Sequence, residues 1–452
     1  MSSEEVTVPP VANARLRLLL EASGWNAGEL ARAVRSVAGE HGRRLACDRS
    51  SVVRWLAGAQ PRPPVPAFLL EALSRRLGRP VTAQQAGLTR APDRVPVVSW
   101  QSAPLRTLTL LTEAELDPAR RRLLASGVFS PLAFAVPELL PRPRRAASDP
   151  APADPGPGAR EPGAEQMHAM AGVFASAAEQ FGGGPVRAAL AAYLARDVTA
   201  RLHAPAPDAV HRGLLSKAAQ LTLLLGRICA DGGDDAVAQH YHLLAARLAA
   251  DARDHATLAI ALRTMATHAL ELGHRGPAVL HLAERASDHA RHAPPVVQAY
   301  TQAHLAVLQA GHDRRAALAS LARAERLHTP HDAAPGPFTA YSLGALHYQR
   351  AQTLAALGDR AGTVGALTDS LRARTPGERH ARTLTHARLA ETQLRLGHLD
   401  AALPHWDAFL EAYPSLDSVR AARRLAALRR QLRPHRAYPA AAGLLARADA
   451  AG

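Results

Sequence analysis

Lysine is almost missing from this 452-residue chain: of its 54 Lys+Arg, only Lys217 is lysine. Cysteine occurs twice, at Cys47 and Cys229, far apart and outside any CxxC spacing. This pattern excludes a disulfide framework and a cysteine-built zinc site, and it suits a reducing compartment. Aromatic residues make up 4% of the chain and β-branched residues are sparse, so a large sheet has little to be built from. No apolar run approaches the ~18 residues that read as a membrane-spanning helix. The opening MSSEEVTVPP is acidic and short, unlike a secretory signal. Arg120-Arg121-Arg122 followed by LLASGVFSPLAFAVP imitates a twin-arginine export signal, but such signals are N-terminal. The expectation is a cytoplasmic protein without a membrane segment.

Alanine, leucine and arginine are what the chain has instead. All three are strong helix formers and predict an all-α fold. The lysine deficit reads as codon bias in a GC-rich genome. Arginine binds phosphate and carboxylate through its planar fork, so the bias leaves the electrostatic argument intact.

The net charge of +15 is unevenly placed. Residues 1–90 carry 13 Arg against 7 Asp+Glu, a balance of +6; residues 91–163 carry 9 against 8, or +1; residues 164–452 carry 32 against 24, or +8. The N-terminal segment is therefore the most charge-dense. Between Pro137 and Gly163 there are eight prolines in 27 residues. Proline fixes φ and removes a backbone donor, so this stretch reads as a solvated, semi-extended linker. The predicted organisation is a module over 1–90, a connector over 91–163 that is Pro-rich from 137, and a repeat domain over 164–452. Within the connector, PVVSWQSAPLRTLTLL reads as room for an extended stretch, and AELDPARRRLLASG as a short helix with Pro118 near its start.

In the first module the apolar spacing predicts short helices over 13–22, 27–38, 48–57 and 65–77. Gly24, Gly58 and Gly78 are stops and Asp48 is an N-cap. Trp25 and Trp55 read as core. A compact, basic, four-helix unit is the kind of module that docks one helix in a DNA major groove.

The residues GWNAGELA (24–31) and RSSVVRWLAG (49–58), with Pro61 beyond, resemble helix 2 and the recognition helix of the Cro/C1 (XRE-type) helix-turn-helix family. The resemblance implies that Arg49, Ser50 and Ser51 face bases, that Arg54 lies nearer the backbone, and that Arg62 and the Arg75-Arg76-Arg79 cluster are candidates for phosphate contact. Arginine in such a position suits bidentate bonding to guanine. Three departures stand out: Ala27 where the family usually has glutamine, Leu56 in place of a common glutamate, and an insert, VAGEHGRRLACD, that either lengthens helix 2 or forms a basic wing.

Beyond residue 163 a helical pattern recurs. Its marker is a glycine followed five positions later by a small residue: Gly233/Ala238, Gly273/Ala278, Gly311/Ala316, Gly358/Thr363 and Gly397/Ala402, spaced by 40, 38, 47 and 39 residues. Pro414 stands 17 residues after the last glycine. The pattern resembles the tetratricopeptide repeat, with one weaker helical pair around 167–203 preceding it. Stacked pairs make a solenoid with a concave face. The repeat register places Arg263, Thr267, Gln298, Thr301, Tyr348, Gln352, Glu391 and Arg395 on its inward side, as a groove for a peptide or protein partner.

Of 22 histidines, 21 lie beyond residue 163, including His240/His242, His289/His292 and His328/His331. No HExxH motif accompanies them, and they read as scattered surface histidines rather than metal ligands, with a pH-sensing role open. Gly182-Gly183-Gly184 lacks the GKS/T of a phosphate loop and reads as a turn. No GxSxG, GxGxxG or nucleophile–base pair supports catalysis, so no enzyme, cofactor or metal is expected.

As a whole the chain resembles the actinomycete helix-turn-helix/tetratricopeptide regulators, a group that includes negative regulators of sporulation and antibiotic production. That resemblance implies a DNA-binding transcriptional regulator, a homodimer whose repeats sense a peptide or protein partner. The alternative is a protein–protein adaptor whose module no longer reads DNA.

Overall fold

The computed structural model describes residues 12–88, 98–125, 127–134, 136–137, 162–328 and 341–451. His331 and nearly all of the Pro-rich linker lie outside them. Every regular element among the described residues is helical. The chain forms two compact units, residues 1–97 with 117–135, and residues 98–116 with 136–452.

The first unit holds α1 (Ala14–Ser23), α2 (Ala27–Glu40), α3 (Arg49–Leu56) and α4 (Val65–Leu77). Their starts and stops are local chemistry. Asn26 caps α2 in a reciprocal box with Glu29, and Asp48 accepts the Ser51 amide at the head of α3. Gly24 and Gly78 end α1 and α4 in the left-handed conformation. The core gathers Leu16, Leu30, Val34, Val52, Trp55, Phe68, Leu69 and Leu73, with Trp25 packed against its edge.

The connector divides between the units. α5 (Pro104–Leu116) belongs to the second unit and α6 (Pro118–Ala125) to the first. α6 is the short helix expected from Pro118, whereas α5 replaces the extended stretch. Threonine explains the difference. The hydroxyls of Thr107, Thr109 and Thr112 donate to the carbonyls four residues back, at 2.9, 3.1 and 2.8 Å. Their polar groups are thereby satisfied within the helix, while Leu108 and Leu111 are buried on one face.

The second unit continues with α7 (Pro162–Phe181), then α8 (Gly184–Tyr193) running through one π turn into α9 (Thr199–His203). Helix pairs follow: α10 (Asp208–Asp231) with α11 (Asp235–Asp251), α12 (His255–Glu271) with α13 (Pro277–Ala290), and α14 (Pro295–Gln309) with α15 (Arg314–Leu327). Then come α16 (Leu343–Ala356) with α17 (Arg360–Ala373), α18 (Arg379–Arg395) with α19 (Leu399–Ala412), and α20 (Val419–Leu432) with α21 (Pro439–Ala450). The two helices of each pair pack on each other, and each pair packs on the next, which makes a helical solenoid.

Four of the five marker glycines, Gly233, Gly273, Gly358 and Gly397, have φ between 81° and 91°. Each ends its helix with the same bonds; Gly397 N–H donates to Leu394 O and His398 N–H to Gln393 O, both at 3.0 Å. Gly311 does not share the conformation. The small residue five positions on is not always buried: Ala278 is exposed and Ala316 half-buried, while Ala238, Thr363 and Ala402 are buried. In four of the five second helices that follow these glycines a small residue is buried at the fourth position, as Ala238, Ala317, Thr363 and Ala402, whereas α13 has the half-buried Leu280 there.

The array is tied back on itself by α7, which packs on both α10 and α18. Asp417 N–H donates to Phe181 O at 2.8 Å, and Ala381 N–H to the Glu179 carboxylate at 2.8 Å. Ser418 Oγ donates to Asp231 at 2.7 Å. No helix among the described residues is long and apolar enough to cross a membrane.

Candidate functional site

Two regions combine unusual chemistry with accessibility, one in each unit. In the first, α3 presents Arg49, Ser50, Val53 and Arg54 to solvent while Val52 and Trp55 hold its other side in the core. Val53 is 50% exposed, a bare apolar side chain between two arginines. Arg43, Arg44 and Arg62 are also exposed. Among the described residues none of these five arginines has a carboxylate within ion-pair distance. The insert lengthens α2 to Glu40 and then turns through Arg43 and Arg44, so both readings of it are partly realised.

The two serines sit differently from the arginines. Ser51 is buried, and its hydroxyl donates to Asp48 at 2.8 Å; the Ser50 hydroxyl donates to the same oxygen at 2.8 Å. The Ser51 amide and these two hydroxyls hold the Asp48 carboxyl down at about 2. Arg54 reaches back to the Ser51 hydroxyl at 3.4 Å.

Two members of the arginine cluster at the end of α4 have structural partners. Arg75 bridges Glu71 and Glu40, both at 2.7 Å. Arg76 donates to Ser23 O at 2.8 Å and lies over the Trp25 ring at 5.6 Å. Arg79 is exposed.

In the second unit, the inward helices α10, α12, α14, α16, α18 and α20, with α7, surround a cavity of about 440 Å³. That is within the range of small-molecule sites. Of the eight groove residues expected, Arg263, Thr267 and Tyr348 line it. The others engage their own surroundings. Gln298 donates to Ala293 O at 3.0 Å, and the buried Thr301 hydroxyl donates to Val297 O and Gln298 O. Gln352 accepts from Gln349 at 2.9 Å. Glu391 pairs with Arg424 at 2.9 Å, and Arg395 donates to Thr392 Oγ at 3.2 Å. Three of the eight therefore line this cavity and five do not.

The cavity also contains residues that repeat spacing does not single out, among them Tyr300, Tyr341, Arg374, His380 and Arg420. One signal was available: the chain has 7 tyrosines, and three of them line this cavity. Its acids are engaged. Glu378 accepts from Arg374 and from Ser342, both at 2.8 Å; Asp231 meets His380 at 3.1 Å; Glu271 pairs with Arg420.

Histidines pair with one another elsewhere in the array. His255 and His289 approach Nδ1 to Nδ1 at 3.2 Å, as do His386 and His405. Burial, with its partner's charge next, holds His289 down at about 4. Among the described residues no three acidic, histidine or cysteine side chains gather as a metal site.

A family described as the SP15 N-terminal domain matches residues 16–89, the span of α1–α4 and the turn that follows. No curated protein matches the chain.

Proposed function

We propose that this chain is a DNA-binding regulator in which α3 enters the major groove and the solenoid carries the sensing and dimerising surfaces. The observation that supports the reading is the exposed face of α3: two arginines without acidic partners flank Val53 on a helix whose other side is anchored in a core. Arginine suits guanine O6/N7, and an apolar side chain beside it suits a thymine methyl. Arg43, Arg44 and Arg62 supply charge for phosphates on either side. The serines enter differently from the first expectation. Ser51 acts in the cap, while Ser50 would reach a base only by leaving Asp48.

A second reading, a protein–protein adaptor, is favoured by one observation. The exposed Asp48 carboxylate stands at the head of α3, where a DNA phosphate would meet like charge. Genome-wide immunoprecipitation of DNA, followed by titration of the enriched fragment, separates the two. Under the DNA reading, Arg49→Ala costs about 1–3 kcal/mol and relaxes specificity at one base, while Arg54→Ala lowers the salt slope by about one. If neither substitution changes affinity or salt dependence, the DNA reading fails and the adaptor stands.

A further inference from the structure

The wall of the solenoid cavity formed by α12, α14, α16 and the end of α17 is rich in donors that lack acceptors. Arg263 is 7% exposed. Its Nη1 donates to Tyr300 Oη at 2.8 Å and its guanidinium lies over the same ring at 3.8 Å from the centroid, but its Nε is buried without a partner. Among the described residues no carboxylate is within ion-pair distance of it. Tyr341 packs edge-on against Tyr300 at 5.0 Å between ring centres, is 7% exposed, and its hydroxyl too is buried without a partner. Arg374 has Glu378 on one terminal nitrogen and an unpartnered Nε. Arg263 and Arg374 thus bring two guanidinium charges to the carboxylate of Glu378, which already accepts from Arg374, Ser342 and the Thr375 amide, while Glu271 at the end of α12 pairs with Arg420.

A buried guanidinium cannot shed its proton, and leaving it uncompensated costs several kcal/mol. The cavity's other acids bond elsewhere, Asp231 to His380, Glu271 to Arg420 and Glu179 to the Ala381 amide, and among the described residues none is within ion-pair distance of Arg263. We propose that the cavity binds a small organic anion, its oxyanion head held by Arg263, Arg374 and Tyr341 and its body laid on the tyrosine wall. The volume, about 440 Å³, matches a metabolite rather than a long peptide. The site stands independently of what α3 contacts.

The test uses the full chain, with inorganic phosphate and citrate as probes of a phosphoryl or a carboxylate head, in titration calorimetry and thermal unfolding. One of the two saturates the wild type with one-to-one stoichiometry and raises its melting temperature. Arg263→Met abolishes that binding, yet without anion it melts no lower than wild type, because the unpaired charge is gone. Tyr341→Phe weakens binding about tenfold, the loss of one hydrogen bond to a charged group. Arg372→Ala, on an arginine that is 76% exposed, binds as wild type does. The proposal is overturned if neither anion saturates up to tens of millimolar. It is also overturned if Arg263→Met binds equally well, or if only peptides bind. Should Arg263→Met fail to fold, unchanged affinity in Tyr341→Phe overturns it.

Discussion

Gly182 is the position at which the second unit can be opened by a single methyl group. It ends α7 with φ at +84°, a conformation that costs a residue with a Cβ about 1–2 kcal/mol. A Cβ there would lie 2.3 Å from the Asp417 carbonyl oxygen, 2.8 Å from its carbon and 3.1 Å from its nitrogen. All three are backbone atoms, so no side-chain rotation relieves the clash. Overpacking of this kind costs about 1–3 kcal/mol more. If the 417 loop retreats, the bonds from Asp417 N–H to Phe181 O and from Gly184 N–H to Asp417 O, at 2.8 and 3.4 Å, are lost with it. Gly182→Ala should therefore destabilise the closure by about 2–5 kcal/mol. Gly172→Ala is the matched control, because it lies within α7 with nothing within 4 Å of its added Cβ, and it should stabilise by about 0.5–1 kcal/mol. Urea unfolding, together with amide exchange of α7 and of 416–420, measures both. A loss below about 1 kcal/mol, with protection of α7 unchanged, would refute the argument that α7 depends on this close approach.

Two further predictions follow from local geometry. Arg253 ends α11 with φ at +56°, where the marker turns have glycine, and its neighbour makes the same bond, Asp254 N–H to Ala249 O at 2.9 Å. Arg253→Gly should raise stability by about 1 kcal/mol in denaturant unfolding; a loss would mean that the arginine side chain contributes more than its backbone strain costs. The His255/His289 pair should make the repeat unit acid-sensitive. Burial and the charges of His255 and Arg285 favour neutral His289, while Asp288 opposes them; Asp254 and His292 act on His255. Because the folded value, about 4, lies below the ordinary 6.5, the unfolded chain binds more protons between these pH values. The contribution is therefore complete above pH ~6.5 and is lost as pH falls towards ~4, by at most about 3 kcal/mol. His289→Gln should flatten that part of the pH–stability curve; an unaltered slope would assign the acid sensitivity to other groups.

How much of the fold was legible depends on the range over which each feature is decided. Asp48 begins a helix, and Gly24, Gly358 and Gly397 end them, through bonds to residues within one turn, so their types announced the elements. The exposed arginines of α3 were legible for the same reason. An apolar stripe every three or four residues assigns the opposite face to solvent. Ser51 was misplaced because the serine that closes a cap and the serine that faces outward have the same local sequence, and burial separates them. α5 was missed because threonine's β preference is a weak prior that back-bonding and burial override.

The sequence by itself determined the all-α character, the helix pairs and their glycine turns, because these rest on propensity, caps and periodicity within about fifteen residues. It also determined that charge concentrates ahead of residue 90. Only the tertiary structure decided that α7 returns to α18, that Glu115 belongs to Arg187 at 2.6 Å, and that Arg75 and Arg76 brace their own unit. It alone set Arg263 apart from the chain's other arginines, by bringing it to Tyr300 and Tyr341 without a carboxylate. Pairing of charge is settled between residues tens to hundreds of positions apart, and spacing along the chain carries no record of which acid each guanidinium meets.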